Sequence, residues 1–241
     1  MLILLRAIVV IFCSILICVV GSLYSLIRFK NPSNVGVMAR WFGRLYPFFG
    51  LKVEHRFPEN VDSIGRCIYI GNHQNNYDMV TVSAMVRPRT VSVGKKSLVW
   101  IPFFGLLYWA TGNILLDREN RSKAHNTINQ LAHRINEDNL SVWMFPEGTR
   151  SRGRGLLPFK MGAFYAAITA GVPIVPVVCS TTHNRIDLNR WDNGKVICEM
   201  MSPVDTSNYT KDNVRELAEY CHQIMQQRIA ELDAEIQQQS V

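Results

Sequence analysis

The sequence predicts an α/β protein: a mixed central sheet flanked by helices, preceded by an N-terminal membrane-associated helical segment. Three observations lead there. Residues 2–27 are almost wholly apolar, broken by Arg6, and about 20 such residues suffice to cross a bilayer core. From residue 51 onward, short apolar runs alternate with segments of helical period, the pattern of a sheet covered by helices. Polar clusters rich in Gly, Asn and Pro close those runs, which puts chemistry-bearing side chains on loops at strand ends. The 241 residues suit one domain with an appendage: anchor helices over 1–50 and an α/β domain over 51–241.

The leader 2–27 lacks the small-residue cleavage site of a secretory signal. Arg28 and Lys30 close it, and Asn31-Pro32 ends the helix. Residues 35–49 place Val37, Met38, Trp41, Phe42, Leu45 and Phe48 near helical spacing among Arg40 and Arg44, which predicts an interfacial helix. Two arrangements stay open: the first helix spans the bilayer, or both lie in one leaflet as a monotopic anchor.

Strands are expected at 53–56, 67–70, 91–94, 114–116, 142–145, 174–179 and 196–200, and helices at 79–86, 122–136 and 162–170. The helix at 122–136 sets Ala124, Ile128, Leu131 and Ile135 on one stripe. At 212–239, Val214, Leu217, Cys221, Met225, Leu232 and Ile236 sit near heptad spacing. That reads as an amphipathic helix packed on the domain edge, with dimerisation as the lesser reading.

A net charge of +7 and a pI near 9.2 favour anionic partners. Zinc-finger spacing, RNA-binding aromatic signatures and basic zippers are all missing from the sequence, so nucleic acid is not an expected partner. None of the six cysteines forms a C-x-x-C pair; they read as reduced thiols and suggest a cytosolic catalytic face. No H-x-x-x-H pair is present, and no metal is expected.

The chemistry centres on Asn72-His73-Gln74-Asn75-Asn76-Tyr77-Asp78, between the apolar runs 67–70 and 79–82. A histidine and an aspartate separated by four residues can meet across such a loop. The carboxylate then accepts one ring N–H and leaves the other nitrogen as a base. The alternative is that both side chains merely satisfy loop backbone groups. Three clusters follow: Gly112-Asn113-Ile114-Leu115-Leu116-Asp117-Arg118, Phe145-Pro146-Glu147-Gly148-Thr149-Arg150-Ser151, and Val172-Pro173-Ile174-Val175-Pro176. Arg118, Arg150, Arg152, Arg154 and Lys160 form cationic loops suited to phosphate, with a surface salt-bridge loop as the plainer reading. No G-x-S-x-G elbow offers a nucleophile, so His73 would deprotonate a substrate hydroxyl that attacks an activated acyl group directly.

In this order and spacing, the four blocks resemble the glycerolipid acyltransferase family, whose pattern runs N-H-x-x-x-x-D, G-x-x-x-hydrophobic-D/R-R, F-P-E-G-T-R-S, V-P-hydrophobic-hydrophobic-P. The match covers roughly residues 52–177, with Leu115-Leu116 a conservative departure in the second block. Size and leader are most similar to the bacterial members that act on 1-acyl-sn-glycerol 3-phosphate. The resemblance implies transfer of a fatty acyl group from acyl-CoA or acyl-ACP to the sn-2 hydroxyl of lysophosphatidate, giving phosphatidate, with no cofactor and no metal. It implies catalytic roles for His73 and Asp78. Acceptor binding falls to Arg118, Glu147, Gly148, Thr149 and Arg150, with Lys160 added. The expected location is the bacterial inner membrane, with the site on its cytoplasmic face. The run 99–109 would line an acyl tunnel or face lipid, against a plain core-packing helix. Other acceptors within the family, a metal-dependent hydrolase using His73, Asp78 and Glu147, and a non-catalytic membrane adaptor are the competing readings.

Overall fold

The computed structural model describes residues 1–117 and 121–239, with backbone alone for 121–126. Among the described residues seven strands form one sheet: β1 Lys52–Arg56, β2 Ile68–Gly71, β3 Thr90–Lys95, β4 Ile114–Leu116, β5 Ser141–Met144, β6 Ile174–Cys179 and β7 Lys195–Met200. Their order is β1-β7-β6-β2-β5-β3-β4. All neighbours are parallel except β6 and β7, which pair antiparallel. The sheet is therefore mixed, as expected. Every residue of β2, β5 and β6 is buried, which is why these strands read as unbroken apolar runs rather than alternating ones.

The chain adds β3, β4 and β5 on one side of β2 and then crosses to place β6 on the other. β2 is thus a topological switch point, and a crevice is expected beyond its carboxyl end. The His73 loop leaves β2 at that end.

Seven α-helices are described: α1 Leu2–Ile27, α2 Ser33–Gly43, α3 Asp78–Thr81, α4 Phe104–Ala110, α5 Arg121–Glu137, α6 Gly162–Ala170 and α7 Val214–Gln238. α6 packs on β2 and between α5 and α7, and α7 lies on β6 and β7. α7 buries Val214, Leu217, Cys221, Met225, Leu232 and Ile236, the stripe its spacing predicts. On α5, Leu131 and Ile135 are buried, while Ala124 lies outside the described side chains.

Three elements depart from expectation. The helix expected over 79–86 stops at Thr81, followed by a 3-10 turn at Ser83–Met85 and an extended Val86. β-branched Val80, Thr81 and Val82 weaken the helix, and Pro88 calls for extended chain ahead of it. The helix expected over 35–49 ends at Gly43, and a 3-10 turn takes over at Tyr46–Phe49 with Pro47 near its start. Its Val35, Met38, Phe42 and Leu45 are buried against the protein, while Phe48 stays exposed. α4 takes up only Phe104–Ala110 of the run 99–109, for which a helix was one of the readings.

α1 has its polarity inverted. Arg6, Cys18, Gly21, Ser22 and Ser25 are buried, whereas Leu4, Leu5, Ile8, Phe12, Leu16 and Leu23 point outward, exposed. Arg6 donates from Nη1 to the Leu188 carbonyl and from Nη2 to the Trp191 carbonyl, both at 3.1 Å. Gly21 admits α2 and α4: a Cβ there would stand 2.4 Å from Met38 Sδ and 3.0 Å from Leu107 Cδ1. A small core of Cys18, Met38, Phe42, Leu45, Val80 and Leu107 joins α1 through α4.

Candidate active site

Asn72 fixes where the loop leaves β2. Its side-chain N–H₂ donates to the Cys179 carbonyl at 2.9 Å, and its oxygen accepts from the Cys179 N–H at 2.8 Å. That reciprocal pair ties the loop to the end of β6. Gln74 repeats the device: it donates to the carbonyls of Cys179 and Ser180 and accepts from the Thr182 N–H at 2.9 Å. Both amides are buried, and such groups must be bonded to be stable there.

The loop then curls so that Asp78, the first residue of α3, faces His73. Asp78 Oδ2 lies 2.6 Å from His73 Nδ1 and also accepts the N–H groups of Gln74 at 2.8 Å and Asn75 at 3.2 Å. Asp78 is buried and the His73 side chain partly open. With Nδ1–H directed at the carboxylate, Nε2 carries the lone pair. Phe145 stacks on the imidazole, ring centroids 4.2 Å apart and planes 17° from parallel, and so sets the ring's plane from below.

Glu147 is nearly closed to solvent, 3% exposed. Its Oε1 accepts the His73 N–H at 2.6 Å and its Oε2 the Leu157 N–H at 2.9 Å. Burial raises its pKa above the ordinary carboxylate value, opposed by those two donors. Two backbone bonds complete the junction, from Ser151 N–H to the His73 carbonyl at 2.7 Å and from Arg152 N–H to the Gln74 carbonyl at 3.0 Å. The loops after β2 and β5 are thus stitched together through main chain and one buried carboxylate. Among the described residues, no three His, Cys, Asp or Glu side chains are grouped so as to hold a metal ion.

Thr149, Arg150, Arg152, Arg154 and Lys160 are exposed around this junction. No carboxylate pairs with these four cations among the described residues. Gly148 sits at φ +69°, where a Cβ would stand 2.8 Å from Lys160 Cε and Nζ, so the missing side chain lets Lys160 lie over the turn. The structure therefore gathers His73, Asp78, Glu147, Gly148, Thr149, Arg150 and Lys160 about one junction. Arg118 lies outside the described residues. Asn72, Gln74, Phe145 and the Leu157 N–H are additional parts of the site. The two amides were detectable as polar side chains beside an apolar strand, but nothing local marks the Leu157 N–H.

A cavity of about 400 Å³ adjoins the loop, lined by Val10 and Ser14 of α1, Phe42, Leu45 and Phe49, and Tyr77, Met79 and Val80. It connects the outward helix to the residues of the His73 loop.

Comparison with known proteins shows the family of the chain. The acyltransferase family model matches residues 52–180, from the start of β1 to just past β6. A 1-acyl-sn-glycerol-3-phosphate acyltransferase of Haemophilus influenzae is 77% identical over 236 residues, 98% of each chain. One of Escherichia coli is 61% identical, covering 98% of this chain and 96% of its own. A crystal structure of the 1-acyl-sn-glycerophosphate (LPA) acyltransferase from Thermotoga maritima superposes with a TM-score of 0.74 over 96% of both chains. At 22% identity, that last likeness shows the shared fold alone. The chain belongs to the acyltransferase family.

Proposed function

We propose that this enzyme transfers a fatty acyl group from acyl-CoA or acyl-ACP to the sn-2 hydroxyl of 1-acyl-sn-glycerol 3-phosphate, forming phosphatidate for phospholipid synthesis. The observation that carries the chemistry is the 2.6 Å contact between His73 Nδ1 and Asp78 Oδ2. It turns Nε2 into a base and gives the resulting imidazolium a carboxylate partner.

The acceptor hydroxyl gives its proton to Nε2 as its oxygen attacks the thioester carbon. The tetrahedral intermediate collapses with C–S cleavage, and the imidazolium returns the proton to the departing thiolate. Base catalysis of this kind contributes about 10²–10⁴-fold. Arg150, Arg118 and Lys160 hold the acceptor's phosphate, with the Gly148-Thr149 turn beneath it; arginine suits that task by its bidentate fork and fixed charge. Glu147 serves the same site from behind, as a positioning residue for the His73 loop. No metal or cofactor takes part.

Membrane association follows from α1, a 26-residue helix with mean hydropathy 3.1 over its most apolar window. Both ends of α1 are tied to the same body, Arg6 to the 188–191 loop and the Lys30 N–H to the Ala110 carbonyl at 3.0 Å. A helix so bound cannot cross the bilayer without taking a charged domain into hydrocarbon. These tethers support a reading in which α1 lies in one leaflet, and the location we propose is the bacterial inner membrane with the site on its cytoplasmic face.

Release of free thiol from acyl-CoA by the purified protein tests the whole reading, measured with lysophosphatidate, glycerol 3-phosphate and neutral lysolipids. Lysophosphatidate should be the preferred acceptor, and His73→Ala should abolish release while the protein stays with membranes. Near-normal turnover by that variant removes the base assignment; a preference for neutral lysolipids removes the acceptor assignment.

A further inference from the structure

We propose that residues 100–109 form a second membrane-entering wedge, remote in sequence from the anchor helix and continuous with its outward face. The inference rests on α1 lying in lipid and extends the bilayer contact to a segment inside the α/β domain.

Trp100 is 82% and Phe103 52% exposed, and Ile101, Leu106 and Trp109 are exposed beside them, while Leu107 and Tyr108 of the same helix are buried. α4 thus has a core face and an opposite face of large apolar side chains. Soluble monomers rarely gather such side chains into one exposed patch without a partner for it.

The backbone is arranged to hold this patch out. Gly105 sits directly against the preceding 3-10 turn, where a Cβ would be 2.0 Å from the Val99 carbonyl oxygen. That contact folds 96–100 tightly back on α4 and leaves Trp100 to Phe103 as the projecting bend. Phe103 occupies φ +62°, ψ −48°, a region bulky residues rarely adopt. Strain of this kind persists where function retains it.

Continuity with α1 identifies the occupant. The Trp109 ring meets Phe29, just past α1, edge-on at 5.0 Å. Lys30 Nζ lies 5.1 Å from the Phe29 ring and 5.5 Å from that of Trp109. Arg28 and Lys30 flank Phe29 in the chain, and Lys95 and Lys96 lead into the 3-10 turn that opens the patch. Aromatics capped by lysine and arginine are the side chains that settle at the boundary between hydrocarbon and headgroups, and the cations favour anionic lipid. The partner is therefore an anionic phospholipid bilayer.

The test uses the full chain in vesicles of phosphatidylethanolamine and phosphatidylglycerol, with and without acyl-chain-brominated phospholipid. Trp41, Trp143 and Trp191 contribute a common background, so the emission difference between the unchanged protein and Trp100→Phe/Trp109→Phe reports the wedge. Phenylalanine retains the apolar ring at both positions, and thermal unfolding of the variant should match the parent. Brominated chains should remove more than half of that difference emission. If the protein floats with the vesicles and the difference emission is unquenched, the wedge is wrong and α1 alone holds the membrane; a second protein copy covering the patch gives this same result. If the protein does not float at all, the wedge and the α1 reading fall together.

Discussion

Glu147→Gln separates two roles for the glutamate of the Phe145–Ser151 block. If Glu147 touches the acceptor, the substitution weakens acceptor binding. If it holds the His73 loop, the change strikes turnover and stability. The structure allows a magnitude. Glu147 Oε1 and Oε2 accept two backbone N–H groups, of His73 and Leu157, at 2.6 and 2.9 Å. Each bond to a charged acceptor contributes about 1.5–3 kcal/mol. Glutamine keeps one acceptor oxygen and turns an N–H₂ toward the second donor, so one bond is lost and a buried N–H is left unpaired. The expected loss is about 2–4 kcal/mol, borne by the junction between the loops after β2 and β5. A displacement of His73 by about 1 Å would lower turnover about 10²-fold. Thermal unfolding in detergent gives the first quantity, and thiol release at saturating lysophosphatidate gives the second. Unchanged kcat with a raised KM for lysophosphatidate would refute the positioning argument and return Glu147 to the acceptor's phosphate pocket.

Further perturbations test other parts of the fold. Gly148→Ala places a residue at φ +69° against the end of the Lys160 side chain; the lysine can swing away, so the expected loss is about 1 kcal/mol of stability, with a higher KM for lysophosphatidate. Arg6→Met strips the Leu188 and Trp191 carbonyls of their donor; trypsin should then cut faster after exposed Arg190, and equal cleavage rates would deny the clamp. Glu235 is held down to about 2 chiefly by its bonds to the Arg56 guanidinium. A lowered carboxyl pKa adds stability that is complete above the ordinary glutamate value of about 4.3 and is lost as pH falls toward the folded value. Glu235→Gln should therefore flatten the acid side of the stability profile over that interval, as measured by denaturant titration at stepped pH.

How much of this was legible in the sequence depended on where the signal lay. The central strands were, because burial on both faces writes itself as a continuous apolar run; β6 and α6 carry the expected bounds. The antiparallel setting of β7 was not, since no local property of Lys195–Met200 encodes the direction of its neighbour. α3 was overestimated because apolar spacing says nothing of the helix-weakening β-branched run Val80-Thr81-Val82, at which the helix stops. At the site, the His73–Asp78 pair was readable from spacing across one loop. Glu147 was readable as a candidate but not in its contacts, since one bond spans to residue 73 and the other to residue 157. Arg6 looked like an interruption of an apolar helix; only the fold brings the 188–191 carbonyls to it.

In the proposed mechanism, one short helix connects the chemistry to the bilayer. α3 is four residues long, yet Asp78 at its start bonds the imidazole and Val80, two residues on, is buried in the small core with Cys18 of α1, Met38 and Phe42 of α2, and Leu107 of α4. The packing of α1 and the aim of the Asp78 carboxylate therefore meet in one short element. Its backbone bonds, from Val80 N–H and Thr81 N–H to the Tyr77 carbonyl at 2.9 Å each, leave no slack between them. A lipid acceptor has its hydroxyl at a depth fixed by its own phosphate and chain. An enzyme that rode loosely on the membrane would have to search for that depth at every turnover. With His73 as the proposed base and α1 as the proposed anchor, fixing both through the same residues removes the search, which is the advantage of orientation over encounter.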